Sequence, residues 1–111
     1  MVKSKTELFD PEIQDCAELF KALSHPARIS ILQYLADTKT CITGDISDEL
    51  PLSRSTVNQH LAELKKAGFI KGHFEGVNTK YCLKPENIER MRSISEGFFN
   101  RIRMDEDYKC Q

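Results

Sequence analysis

The chain has 111 residues, of which 40% are hydrophobic and 30% charged, with a formal net charge of −1. That length argues for a single domain with a modest core, and no apolar run approaches the roughly 20 residues that a membrane-spanning helix needs. Met1-Val2-Lys3-Ser4-Lys5 leads into acidic residues and not into an apolar signal core, so a cytoplasmic protein without a membrane partner is expected.

Ile13, Cys16, Ala17, Phe20 and Leu23 follow the i, i+3, i+4, i+7 rhythm of an amphipathic helix over residues 10–23. Ser24-His25-Pro26 interrupts it. Pro26 suits the first turn of a second helix, where its missing N–H costs nothing, and Ala27, Ile29, Ile31, Leu32 and Leu35 carry that helix to about residue 36. After a polar loop, Thr43 is the expected N-cap of a short third helix with Ile46 and Leu50 facing inward, ended by Pro51. Ser53 is the next N-cap. It opens a fourth helix over residues 54–67, and Gly68 stands where a left-handed C-terminal residue belongs. Residues 69–74 and 79–83 read as two strands, joined through Glu75-Gly76-Val77-Asn78, in which Gly76 and Asn78 suit the positive φ of a hairpin turn. Pro85 ends the hairpin. A last helix over residues 86–103 bears Ile88, Met91, Ser95, Phe98 and Ile102 on one stripe, with Ile94 and Phe99 beside it. The expected fold is therefore mainly α with a small β-hairpin wing: about five helices, with a helix-turn-helix at residues 43–67 and the wing at 69–84.

Charge is distributed unevenly. Residues 1–50 hold five Lys/Arg against nine Asp/Glu, whereas residues 51–84 hold six against two (Glu63 and Glu75). A local cationic patch, not a basic protein, is what phosphate binding requires. On a wheel of about 100° per residue, Val57, Leu61 and Leu64 share the inner face of the fourth helix. Ser55, Gln59, Ala62 and Lys66 take the opposite face, with Asn58 at its edge. Asn and Gln pair with adenine edges, Ser bonds several bases and Ala touches a thymine methyl. Arg54 and Thr56 lie at the N-terminal end, the part of a recognition helix that reaches bases. Lys65, Lys66, Lys71, His73 and Lys80 are the expected backbone contacts, so double-stranded DNA is the expected partner. No Ser-His-Asp order, phosphate-binding glycine loop or paired-carboxylate signature is present, and no enzymatic activity is expected. The acidic first half supports one alternative, a winged-helix module that binds protein partners and no operator.

Cys16, Cys41, Cys82 and Cys110 form no CxxC or CxC pair, and in a reducing compartment all four are expected to be thiols. Soft metalloids favour thiolates. Cys41, Cys82 and Cys110 are the candidate ligands for arsenite or another thiophilic ion, and two thiols closing a disulfide are the redox alternative. Cys82, on the strand face opposite Tyr81, is expected to be partly exposed, and Cys16 to be a small core or interface residue.

Residues 41–72, CITGDISDELPLSRSTVNQHLAELKKAGFIKG, resemble the ArsR/SmtB family of winged-helix repressors. Gly44-Asp45-Ile46 matches the family's Gly/Cys-Asp-Leu motif. Residues 52–61 match its Leu-Ser-Gln-Ser-Thr-Val-Ser-His-His-Leu run, and residues 65–70 its Lys/Arg-x-Ala-Gly-Leu-Ile turn. Residues 20–28, FKALSHPAR, and the wing with Glu75-Gly76, Tyr81 and Leu83 also fit, so the likeness covers residues 13–84. The resemblance implies a homodimer built on helices 10–23 and 86–103, an imperfectly palindromic operator, and repression relieved by a metal, metalloid or oxidant. The family's Cys-x-Cys site would fall on Ile42 and Gly44, with Cys41 one residue away. Its zinc site on the last helix is absent, because histidines occur only at 25, 60 and 73.

Overall fold

Each helix of the protein starts at a residue the backbone needs there. The structure, a computed structural model, describes residues 5–43, 46–75 and 78–109. Helix α1 (Pro11–Ala22) and helix α2 (Pro26–Thr38) both open on proline. His25 caps α2, its Nδ1 accepting from the Ala27 backbone N–H at 3.0 Å. Lys39, at φ 56°, closes α2 and turns the chain into strand β1 (Ile42–Thr43). A single 3-10 turn (Ile46–Glu49) precedes helix α3 (Arg54–Lys66). Strands β2 (Ile70–Glu75) and β3 (Asn78–Leu83) form the wing, and helix α4 (Pro85–Arg101) follows.

The sheet order is β1-β3-β2, antiparallel throughout, with Ile42 opposite Tyr81 and Ile70 opposite Leu83. One core joins the layers: Leu19, Ile31, Leu35, Ile46, Val57, Leu61, Leu64, Phe69 and Ile70 are all buried together. Burying Ile31, Leu64 and Ile70, each at most 1% exposed, stabilises the fold by about 1.5–3 kcal/mol per side chain. Gly68 at φ +89° is the left-handed residue that ends α3. Its carbonyl accepts from Asn87 Nδ2 at 3.1 Å, so the start of α4 is tied to the end of α3.

Several expectations need correction. Thr43 lies in β1 and caps no helix; residues 42–43 take the free edge of β3, and the expected third helix shrinks to the 3-10 turn. Ile29, one of the apolar residues of α2, is 44% exposed, because it lies about 120–160° around the helix from Ala27, Ile31 and Leu35. Among the described residues the α-helices number four. The expected hairpin turn falls on residues 76–77, which are outside the described residues, and Asn78 already belongs to β3.

Candidate nucleic-acid interface

Ser53 sets the register of α3. Its Oγ accepts from the Thr56 backbone N–H at 3.3 Å and donates to Thr56 Oγ1 at 3.0 Å. Thr56 is thereby engaged in the cap and is half-buried. Val57, His60, Leu61 and Leu64 turn inward. That leaves Arg54, Ser55, Asn58, Gln59, Ala62, Lys65 and Lys66 exposed along one side of the helix, cationic at both ends and polar and neutral between, with Glu63 exposed at its edge.

The wing's register sorts its side chains by face, because directly opposed residues of a pair share one. Lys71 stands opposite Cys82 and His73 opposite Lys80, so these four share a face. Ile70, Leu83, Gly72 and Tyr81 take the other, which packs on the core. Gly72 makes room there for the Tyr81 ring, which a Cβ at this position would approach to 3.1 Å. Lys71 and His73 are exposed and Lys80 is half-buried.

His60 received no role in the sequence reading. It is 8% exposed, its ring lies 4.3 Å from that of His25, and its Nδ1 accepts from Arg28 Nε at 3.2 Å. Arg28 also donates to the Ala22 carbonyl at 3.3 Å, so one guanidinium joins the end of α1 to α2 and α3. The position three residues after Val57 marked His60 as inward-facing; its partner, 32 residues earlier, is not readable from periodicity. Burial, then His25 and then Arg28, lower the His60 pKa from its usual 6.5. The folded state therefore holds fewer protons than the unfolded chain just below pH 6.5. The stability this group contributes is intact above that value and is lost as pH falls through the lowered pKa. Thermal stability is expected to fall as pH drops below about 6.5, and His60→Asn is expected to flatten that fall. Equal drops in both proteins would assign the pH dependence to other groups.

The cysteines also differ from expectation. Cys41 and Cys82 form a disulfide with Cα atoms 4.4 Å apart. They continue the β1–β3 register by one residue, a closeness across 41 residues of chain that their spacing in sequence does not reveal. Cys82 is buried, at 6% exposed, because β1 and the disulfide cover it. Cys16 is a half-buried free thiol. Cys110 lies outside the described residues. Among the described residues no group of three or more His, Cys, Asp or Glu is arranged to hold a metal ion. Sulfurs bonded to each other offer no thiolate, so the donor set of the described residues does not fit a thiophilic ion.

A helix-turn-helix whose exposed helix face runs from Asn and Gln to Lys, joined to a cationic hairpin, defines the winged-helix class of DNA-binding proteins. A family model described as a helix-turn-helix domain matches residues 23–73. The chain is 35% identical over 78 residues to an HTH-type transcriptional regulator of Methanocaldococcus jannaschii, covering 70% of this chain and 88% of the relative. It is 32% identical over 94 residues to the HTH-type transcriptional regulator CmtR of Mycobacterium tuberculosis, covering 85% of this chain and 77% of the relative. It also resembles a solved structure described as a possible transcriptional regulator for arsenical resistance, with a TM-score of 0.67, 27% identity, and coverage of 80% of this chain and 88% of that one. The chain belongs to the ArsR family of winged helix-turn-helix transcriptional regulators. That is a family of DNA-binding regulators and not of enzymes. Among the described residues no helix is long and apolar enough to cross a membrane.

Proposed function

We propose that the chain is a homodimeric repressor that occupies an imperfectly palindromic operator and leaves it when a signal reaches its cysteines. The exposed face of α3 carries this reading. Ser55, Asn58, Gln59 and Ala62 read base edges, and Arg54, Lys65 and Lys66, with Lys71, His73 and Lys80 of the wing, hold phosphates. Thr56 serves through the cap that fixes the first turn. The domain organisation follows: residues 43–67 dock, residues 69–84 are the wing, and helices 10–23 and 86–103 pair two subunits. The protein works in the cytoplasm, beside the DNA it binds.

Two observations support the dimer. The radius of gyration is 17.3 Å, against about 13 Å for a compact chain of this length. Helix α4 has no buried residue of its own, and Phe98, Phe99 and Ile102 remain exposed on it, with Phe98 and Phe99 grouped against Phe20. Exposed aromatics in a group mark an association surface. A two-fold pair then presents two α3 helices to successive major grooves.

Fluorescence anisotropy with the DNA upstream of the protein's own coding sequence tests the reading. Specific binding should exceed binding to random duplex by about 1,000-fold or more and weaken steeply with salt. Equal affinity for both duplexes would replace it with the protein-binding module.

A further inference from the structure

We infer that Cys41 and Cys82 are a reversible redox latch on the wing, closed by low-molecular-weight disulfides and opened by thiols, and that the closed form binds DNA more tightly. The inference rests on the operator-binding reading above and names its signal.

The latch stands at a mechanical junction. Cys41 immediately precedes β1, a strand of two residues, and the chain enters the helix-turn-helix soon after it. Cys82 lies in β3 of the wing. The disulfide therefore staples the entry of the DNA-reading helices to the DNA-touching hairpin. Without it, β1 is held to β3 by the pairing of Ile42 with Tyr81 and Thr43 with Lys80. So short a pairing frays readily. A fixed relation between α3 and the wing removes ordering cost from a complex in which both must touch one duplex.

The chemistry also suits exchange. Cys82 shares its face with Lys71, directly opposite, and with Lys80, so the disulfide stands on the cationic face of the wing. Cys41 is half-buried and Cys82 is buried, which makes Cys41 the entry point. From the reduced pair, the Cys41 thiolate attacks one sulfur of RSSR, forming a mixed disulfide and expelling RS⁻. The Cys82 thiolate then attacks the Cys41 sulfur, forming the internal bond and expelling the second RS⁻. The two protons released by the protein thiols end on two RSH, and two electrons pass from the protein to RSSR. Excess thiol runs the same steps backwards.

The full-length protein, equilibrated in glutathione buffers of graded ratio, is assayed by mass spectrometry after alkylation and by anisotropy on its own upstream DNA. One two-electron transition is expected, with the Cys41 and Cys82 peptides linked on its oxidised side. Affinity should fall about five- to tenfold on reduction. Cys41→Ser and Cys82→Ser should hold the lower affinity in every buffer, while Cys16→Ser and Cys110→Ser keep the response. Affinity that is flat across the transition, or higher on the reduced side, overturns the latch, as does a response that survives Cys82→Ser. If neither form prefers the upstream DNA to random duplex, the operator reading fails by itself. The latch is then judged by the same transition in random-duplex affinity, to which Lys71 and Lys80 contribute regardless of sequence.

Discussion

Phe99→Glu is expected to yield a monomer and to lower operator affinity by about 100-fold or more. Phe20, Phe98 and Phe99 stack edge-to-face, with centroids 5.2 to 6.2 Å apart. Yet Phe99 is 57% exposed and Phe98 39%. Leaving so much aromatic surface in water forgoes burial worth roughly 25 cal/mol per Å², unless a second subunit covers it. Across a two-fold axis one substitution acts twice, and each buried glutamate would have to be desolvated without a partner. The protomer itself should survive, because Phe99 lies outside the core formed by Leu19, Ile31 and Leu64. The exposed Arg90–Asp15 contact at 3.4 Å, which also joins α1 to α4, contributes little on the scale of surface ion pairs. Light scattering and anisotropy on the same samples check the outcome. A dimeric variant with unchanged affinity would move the subunit interface away from α1 and α4.

What could be read in the sequence was local. Pro26 at the start of α2, Ser53 at the cap of α3 and Gly68 at its end each answer a backbone requirement within a few residues, and each holds in the structure. The outward face of α3 was equally legible, because a helix wheel needs only periodicity. The features that escaped depend on register between distant segments. A two-residue strand has no periodicity, so Thr43 of β1 was read as a helix cap. Once β1 takes its place beside β3, Cys41 must meet Cys82, and two expected thiols become one bond. The contact between Arg28 and His60 escaped for the same reason. In this fold these distant contacts lie around α3, so the parts least legible in sequence are the ones that position the part most legible.

The recognition face itself makes a prediction with two separable signatures. Asn58→Ala and Gln59→Ala should each cost about 1–3 kcal/mol on the operator and almost nothing on random duplex. Both side chains are exposed on α3, so truncating them leaves the helix and its Ser53 cap in place. The loss is of bidentate pairing to base edges, a contact that random DNA does not offer. Lys66→Ala should behave in the opposite way. It lies in the last turn of α3, beyond the segment proposed to enter the groove, and its ammonium suits a phosphate. Removing it should weaken binding to every sequence and reduce the slope of log affinity against log salt by about one. Lys66 also complements the negative end of the helix dipole, worth about 0.3–1 kcal/mol. A purely structural Lys66 would therefore lower the melting temperature and leave the salt slope unchanged. Equal losses on both duplexes for Asn58→Ala and Gln59→Ala would remove them from base reading and leave α3 as a helix that holds DNA without choosing it.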